Sequence, residues 1–513
     1  MTIETLLCSL FTGIQSLIQG CFGLTINRHV THNSVFKVKA ANLGCWLVTE
    51  GWMIPSLFSG IHNSDLLDGA QVQLKSMYIG KYLSAENGGG SILVANKAFA
   101  LGWETFKLWR IDEKTFNFRV SSNQFIGLQS KGDGRGVAAE ATIPGDSETF
   151  QIIRNLDDSS RVRIQAPNGL FLQALTQNLV TADYTGDGDW GDNNPSVFVM
   201  TVVKTFHGEY QLTNGYGPDK APQVLKEHWD TYIVEDDFKF MSENGINTVR
   251  IPVGWWIAKD PTPPKPYVGG SLLYLDNAFV WAEKFDIKVI VNLHAVPESQ
   301  NGYEHSATRD GSLDWGKSDE SIQQSVEAIE FLTARYAQNT QLYAVELLNE
   351  PESGVPLETL TKYYKTGYEA VRRHSSSAYV VMSNRLGDDI DPKELFPLAG
   401  ALPLTVIDVH YYNLFHDRFS TMTVQQNVDY INRKRISDLS TITTSDGPLT
   451  FIGEWVAELA NPASQEDLKK YANAQLQVYD RASFGWAYWS LKNVHNHWSL
   501  QWMIQNGYIN RTN

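Results

Sequence analysis

Two patterns of apolar and polar positions divide the chain. Val38–Leu47, Thr248–Val253, Val289–Leu293, Tyr343–Leu348, Tyr379–Ser383, Val406–Val409, Leu449–Ile452 and Phe484–Leu491 are short, almost continuously apolar runs. Such runs suit strands covered on both faces. Between most of them lie longer stretches with helical spacing: Val224–Glu243, Leu272–Phe285, Glu320–Tyr336, Leu357–Arg373, Val424–Leu439 and Gln465–Asp480. Eight strand–helix units predict an α/β fold, a (β/α)8 TIM barrel. Pro261–Pro266 follows the second run and reads as a stiff loop at the barrel rim.

The second pattern occupies residues 71–204. Short strands alternate there with Gly, Asn and Asp turns, and helical periodicity is almost absent. An approximate repeat of roughly forty to fifty residues recurs three times. Gly80–Ala85, Asn123–Leu128 and Asn168–Ala174 each combine a turn, an aromatic residue and an apolar strand. Each unit closes on Phe106-Lys107-Leu108, Phe150-Gln151-Ile152 or Phe198-Val199-Met200. Three such units must stack to bury one core. The pattern resembles the fascin-like β-trefoil module, an all-β insertion after the first barrel strand. The expected organisation is a candidate signal peptide (1–24), the first barrel strand and its loop (35–70), the insertion (71–204) and the rest of the barrel (205–513).

The 513 residues exceed the size at which a single core usually stops growing, in keeping with two domains. A net charge of −15 argues against a general nucleic-acid binder and against anionic membrane surfaces. No window holds eighteen consecutive apolar residues, so no spanning helix is expected. Fifteen Trp and 22 Tyr fit either a large aromatic core or surfaces that stack on sugar rings. Leu6–Leu24, with Cys8 and Cys21, has the apolar character of a signal-peptide core. No Lys or Arg precedes it, and Glu4 does. Once it is removed, Cys45 has no partner for an internal disulfide.

In a barrel of this type chemistry gathers at the C-terminal ends of the strands. The apolar runs there lead into Glu50, Arg250, His294, Asn349-Glu350-Pro351, His410-Tyr411-Tyr412, Glu454-Trp455 and Trp489. Glu350 and Glu454 each end an apolar strand, where an unpaired carboxylate is costly to bury. A pair on facing strand ends is what glycoside hydrolysis needs: one group protonates the leaving oxygen, the other attacks the anomeric carbon. No metal or cofactor is expected. His294, Glu304 and His305 lack zincin spacing, and Gly88-Gly89-Gly90 leads into a strand rather than a helix N-terminus.

Asn349-Glu350-Pro351 and Gly453-Glu454-Trp455 resemble the signature of glycoside hydrolase family 5, as do Arg250, His294, His410, Tyr412 and Trp489. Asn42–Leu47 leading to Glu50, and Pro297–Gly302, resemble its exo-1,3-β-glucanase branch, of the plant type that carries a fascin-like module. The resemblance implies a retaining glycosidase that releases glucose from β-glucans. It makes Glu454 the nucleophile, kept ionised by Arg250 and Tyr412. Glu350 becomes the acid/base, its pKa raised by the neighbouring carboxylate and partial desolvation. It further implies Asn349 on the sugar 2-hydroxyl, Trp489 under the glucose ring, and His294 and His410 orienting hydroxyls and carboxylates. The resemblance also implies Tyr303 and Phe415 as an aromatic clamp for the next sugar, and Glu50 and Glu304 are candidates for gripping glucose hydroxyls at the closed end.

Three positions depart from that pattern. Cys45 and Glu298 stand where Gly is usual, and Asn292 replaces an Asp beneath His294. They are expected to bear on substrate choice or turnover. Transglycosylation on β-glucosides and non-catalytic binding of cell-wall glycan are the alternatives, with an actin contact by the fascin-like module more remote. A cell-wall substrate implies secretion, and the N-terminus leaves an intracellular place open.

Overall fold

The structure is a computed structural model that describes residues 36–129, 134–186, 188–387 and 389–509. The candidate signal peptide lies outside the described residues. Eight parallel strands close into a barrel in chain order: Val38–Asn42, Thr248–Gly254, Lys288–Ala295, Leu342–Glu346, Tyr379–Ser383, Thr405–Tyr411, Leu449–Trp455 and Gly485–Tyr488. The first strand closes the ring, with Ala40 opposite Thr248 on one side and Val38 opposite Gly485 on the other. Each strand was legible as an apolar run, but the first, fourth and last are shorter than the runs. The first stops at Asn42 because the chain turns through Leu43-Gly44-Cys45, with Cys45 at a left-handed φ of 61°. The last stops at Tyr488.

Alternation along the strands builds the barrel interior in layers. Val38, Ala40, Ile290, Ala344, Val381, Val406, Phe451, Phe484 and Ala487 form an apolar plug. Two residues further along the same strands the inward positions turn polar: Asn42, Asn292, Glu346 and Asp408, all fully buried. Another step brings His294 and His410. Gly453 has no side chain because Asp408 occupies the space: a Cβ there would sit 2.2 Å from a carboxylate oxygen.

Helices wrap the strands. Leu357–His374 turns Leu360, Tyr363, Tyr364, Gly367, Tyr368 and Val371 inward, the i, i+3, i+4, i+7 stripe of an amphipathic helix. Its Tyr363 and Tyr364 hydroxyls donate to the Leu347 and Ser383 carbonyls at 2.6 and 2.7 Å, at the strand ends. The stretch expected as one helix over 224–243 is two, Glu209–Thr231 and Glu235–Glu243. The break falls where β-branched residues (Ile233, Val234) meet Glu235-Asp236-Asp237. That acidic triplet suits a helix N-terminus, and Asp237 accepts the Val234 N–H at 2.9 Å. Among the described residues no helix is long and apolar enough to cross a membrane.

Between the first and second barrel strands the described residues form twelve antiparallel strands, from Gln71–Ser76 to Phe198–Lys204. These two outermost strands pair with each other, Ser76 opposite Phe198 and Gln73 opposite Thr201. The all-β domain therefore leaves the barrel and returns to it at nearly one point, the condition for insertion into a loop. It has its own core, in which Phe106, Phe150 and Phe198 are fully buried together.

Candidate active site

Arg250 sits at the centre of the polar layer, with no exposed side-chain surface. Its Nε and Nη2 donate to the two Glu346 oxygens at 2.6 and 2.7 Å. Nη1 donates to Asn42 Oδ1 at 2.8 Å and to Glu454 Oε1 at 3.0 Å, and Nη2 also donates to Asn349 Oδ1 at 2.7 Å. A buried guanidinium is tolerable because each of its N–H groups meets an acceptor. Tyr412 donates its hydroxyl to the other Glu454 oxygen at 2.8 Å. Burial still pushes the Glu454 carboxyl upward, against the pull of His410 and Arg250.

His410 lies among three carboxylates. Its Nε2 lies 3.1 Å from Asp408, its Nδ1 2.6 Å from Glu350 Oε1 and 3.5 Å from Glu454. Burial opposes its charge, but Glu454, Asp408 and Glu350 prevail and hold the imidazole well above its ordinary pKa. The second Glu350 oxygen lies 3.2 Å from His305 Nε2. Burial would raise the Glu350 carboxyl; His410 and His305 outweigh it and hold it well below the usual carboxylate range. This corrects the expectation that Glu350 holds a proton in the unliganded site. The neighbouring carboxylate is present as expected, but two imidazoles stand closer. The Glu350 backbone is itself strained, at a φ of 43°.

His294 is neutral for the opposite reason. Burial, then the positive His305 and Arg250, keep it well below its ordinary pKa. Its Nδ1 pairs with Asn292 Oδ1 at 2.7 Å, and its ring lies parallel to Trp489 at 5.4 Å. Asn292 thus supplies an acceptor beneath the histidine without a charge. Cys45 and Glu298 keep the left-handed backbone that Gly would favour, with φ of 61° and 64°. Cys45 packs beside Trp489, and Glu298 is exposed, its carboxylate accepting from Ser318 at 3.4 Å.

These groups open onto a cavity of about 270 Å³, lined by Glu50, Trp52, His294, His305, Glu350, Tyr412, Phe415, Glu454, Trp489 and Trp498. Trp52 donates its indole N–H to Glu50 at 2.8 Å, and burial pushes the Glu50 carboxyl up to about 7. Phe415 stands at the mouth, 79% exposed, and Tyr303 is exposed beyond the wall, its hydroxyl 3.5 Å from Glu352. Glu304 does not reach the cavity. Its carboxylate accepts the His207 N–H at 2.7 Å, and the next residue, His305, takes the expected place. Sequence reasoning missed Trp52, His305 and Trp498, together with the buried Glu346 and Asp408. The period-two signal was there for the carboxylates: each interrupts an apolar strand two residues from an inward neighbour.

Comparison with known proteins extends this picture. Residues 213–495 match the family model described as Cellulase (glycosyl hydrolase family 5). Residues 63–203 match a domain of unknown function, DUF7910. A protein named probable glucan 1,3-beta-glucosidase A from Emericella nidulans is 33% identical over 273 residues, covering 52% of this chain and 62% of that relative. One of the same name from Aspergillus niger is 30% identical over 366 residues, covering 62% and 85%. The crystal structure of rutinosidase from Aspergillus niger superposes with a TM-score of 0.51 at 21% identity, over 58% of this chain and 88% of that one, a likeness of fold. With more than half of its length matched by the family model, this chain belongs to glycosyl hydrolase family 5 and is a glycosidase.

Proposed function

We propose that the protein is a retaining β-glucosidase of exo-1,3-β-glucanase type. The observation that carries the reading is the closeness of two carboxylates: one oxygen of Glu350 and one of Glu454 lie within 4.8 Å of each other, beside His410. Retaining glycosidases place the two groups about 5–5.5 Å apart, whereas inverting ones leave about 6.5–9.5 Å for a water. Glu454, oriented by Arg250 and Tyr412, attacks the anomeric carbon. Glu350 donates a proton to the leaving oxygen, then takes one from water as the glycosyl–enzyme bond breaks. In the unliganded site that proton rests on the imidazoles. Sugar binding displaces water and disfavours the separated charges, so the proton passes from a histidine to Glu350 over a hydrogen-bond length.

The remaining wall fits one glucose. Asn349 accepts from Arg250, while its buried Nδ2 has no partner, a free donor for the 2-hydroxyl. Trp489 offers a stacking face, and Glu50 offers acceptors. The cavity lies just below the usual range of ligand-site volumes, about 300–1,000 Å³, which favours a chain end over a long cleft. The exposed Phe415 and Tyr303 would hold the departing sugar or an acceptor, which favours transglycosylation as a second outcome. The named relatives are glucan 1,3-beta-glucosidases, which supports the linkage. The threefold recurrence of Phe106, Phe150 and Phe198 in one core supports a β-trefoil reading of the inserted domain. A polymeric β-glucan implies an exported protein.

The test is glucose release from a 1,3-linked β-glucan oligomer, beside a Glu454→Ala control. Release by the unaltered protein alone is expected. Absence of release from both that oligomer and an aryl β-glucoside would overturn the reading.

A further inference from the structure

The all-β domain touches the barrel helix Glu209–Thr231, where Asn214 donates to the Arg110 carbonyl at 2.9 Å, and a loop of the catalytic face, the segment between the third strand and the helix Asp319–Tyr336. Asp310 of that loop is 2% exposed. Its carboxylate accepts the Trp109 indole N–H at 2.7 Å and an Arg119 guanidinium N–H at 2.6 Å, with Lys107 at 3.9 Å. All three partners stand on two adjacent strands of the all-β domain, Thr105–Arg110 and Thr115–Arg119. Arg119 also donates to Ser312 at 3.1 Å. The loop's Arg309 lies over the Trp109 ring at 3.8 Å and donates to Asp68 at 2.9 Å. Loop carbonyls at Thr308 and Arg309 accept from Gln211 at 2.8 and 2.9 Å. An ion pair this enclosed, with hydrogen bonds to both partners, fixes position more than it adds net stability.

Five residues before Asp310 the same loop presents His305 to Glu350. We infer that the all-β domain is a positioning device for the active site: Arg119 and Trp109 hold Asp310, and through it hold His305 against the Glu350 carboxylate. This assigns a role to the domain and makes Arg119 and Trp109 positioning residues. The inference rests on Glu350 as the acid/base only where activity is the readout.

His305 is well placed to report. The groups facing it are Glu350, Glu50 and Glu454, the His294 ring at 5.3 Å, the Tyr303 ring at 5.7 Å, and the Asn301 amide at 2.9 Å. Burial lowers its affinity for a proton, but Glu350 and the other carboxylates more than offset this and raise it above the ordinary histidine value.

The experiment uses the full chain with labelled histidine, His305 being assigned from the signal lost in His305→Ala. Arg119→Ala is expected to bring the His305 titration down toward the ordinary value, with Arg119→Lys restoring part of the shift. On an aryl β-glucoside, Arg119→Ala should lower kcat by at least about tenfold, misplacement being costly even far from the chemistry. In the His305→Ala background the same substitution should cost nothing further, as two changes acting through one contact do. Trp109→Phe serves as a second variant if Arg119→Ala does not fold. An unmoved His305 titration, or losses that multiply independently, would overturn the inference. A protein that cleaves no glucoside would count against the proposed function alone, because the His305 titration still decides whether the clamp exists.

Discussion

Arg250 holds Glu346 through two parallel hydrogen bonds of 2.6 and 2.7 Å, and neither side chain has any exposed surface. The pair is the floor on which Glu454 rests, since the same guanidinium donates to Glu454 at 3.0 Å. Removing Glu346 leaves the buried guanidinium with Nε and one Nη2 hydrogen lacking an acceptor, and with only Glu454 and the more distant Asp408 to balance its charge. Glu346→Ala should therefore cost about 3–5 kcal/mol of stability, read from chemical denaturation, and abolish turnover. Glu454→Ala should abolish turnover with a smaller loss, since Arg250 keeps Glu346, Asn42 and Asn349. Equal denaturation midpoints for Glu346→Ala and the unaltered protein would contradict this.

The two catalytic assignments are separable by product stereochemistry. With azide and an activated aryl β-glucoside, Glu454→Ala should give the α-glucosyl azide, because the anion enters where the carboxylate stood. Glu350→Ala should give the β-glucosyl azide, because the covalent intermediate still forms and is attacked from the opposite face. Reversed products would exchange the roles, which nuclear magnetic resonance of the azides would reveal.

Stability should fall from mildly acidic to mildly alkaline pH. Burial is the main cause that pushes the Glu50 and Glu209 carboxyls up to about 7. A folded pKa above the unfolded one contributes stability that is complete below the unfolded value and is lost as pH rises through about 7. Asp310 has the opposite sign. Burial raises it, but Lys107, Ser312, Arg119 and Trp109 bring it down to about 2, so its contribution is lost only in strong acid. The thermal midpoint should thus be lower at about pH 8 than at about pH 5, and Glu209→Gln should flatten the difference by roughly 3 kcal/mol at most. A midpoint that rises over this range would refute the account.

Asn292 gives His294 an uncharged partner where an aspartate would place a carboxylate. Replacing it by Asp places a carboxylate at the 2.7 Å contact with Nδ1 and should raise the histidine pKa. Histidine ring resonances should show His294 neutral across the acid range in the unaltered protein and titrating at higher pH in Asn292→Asp. KM for an aryl glucoside should change with it. Identical titrations would mean that burial and Arg250 alone govern this group.

The eight barrel strands were legible because each is a continuous apolar run, and the facing carboxylates because they end such runs. Trp52, Trp498 and His305 were not, because loops place them and no periodicity marks a loop residue as inward. Glu304 was misplaced for the same reason: in Tyr303-Glu304-His305 the backbone alone decides which side chain enters the cavity. The resting charge of Glu350 was misjudged because His410 and His305 reach it from loops and strands distant in sequence. The interface of Asp310 with Arg119 and Trp109 was illegible altogether, joining residues almost two hundred positions apart.

The ring is closed by its first strand, which pairs with the second and with the last. On the ribosome, Val38–Asn42 emerges long before Gly485–Tyr488, and the all-β domain is complete before the second barrel strand has been made. That domain is tied by its own terminal pairing and can form early, while the barrel's opening strand waits with one edge unsatisfied. Its companion on that edge is the last strand synthesised. A chain interrupted anywhere between Lys204 and Gly485 therefore carries a folded appendage and an open sheet, the state most exposed to chaperones and proteases.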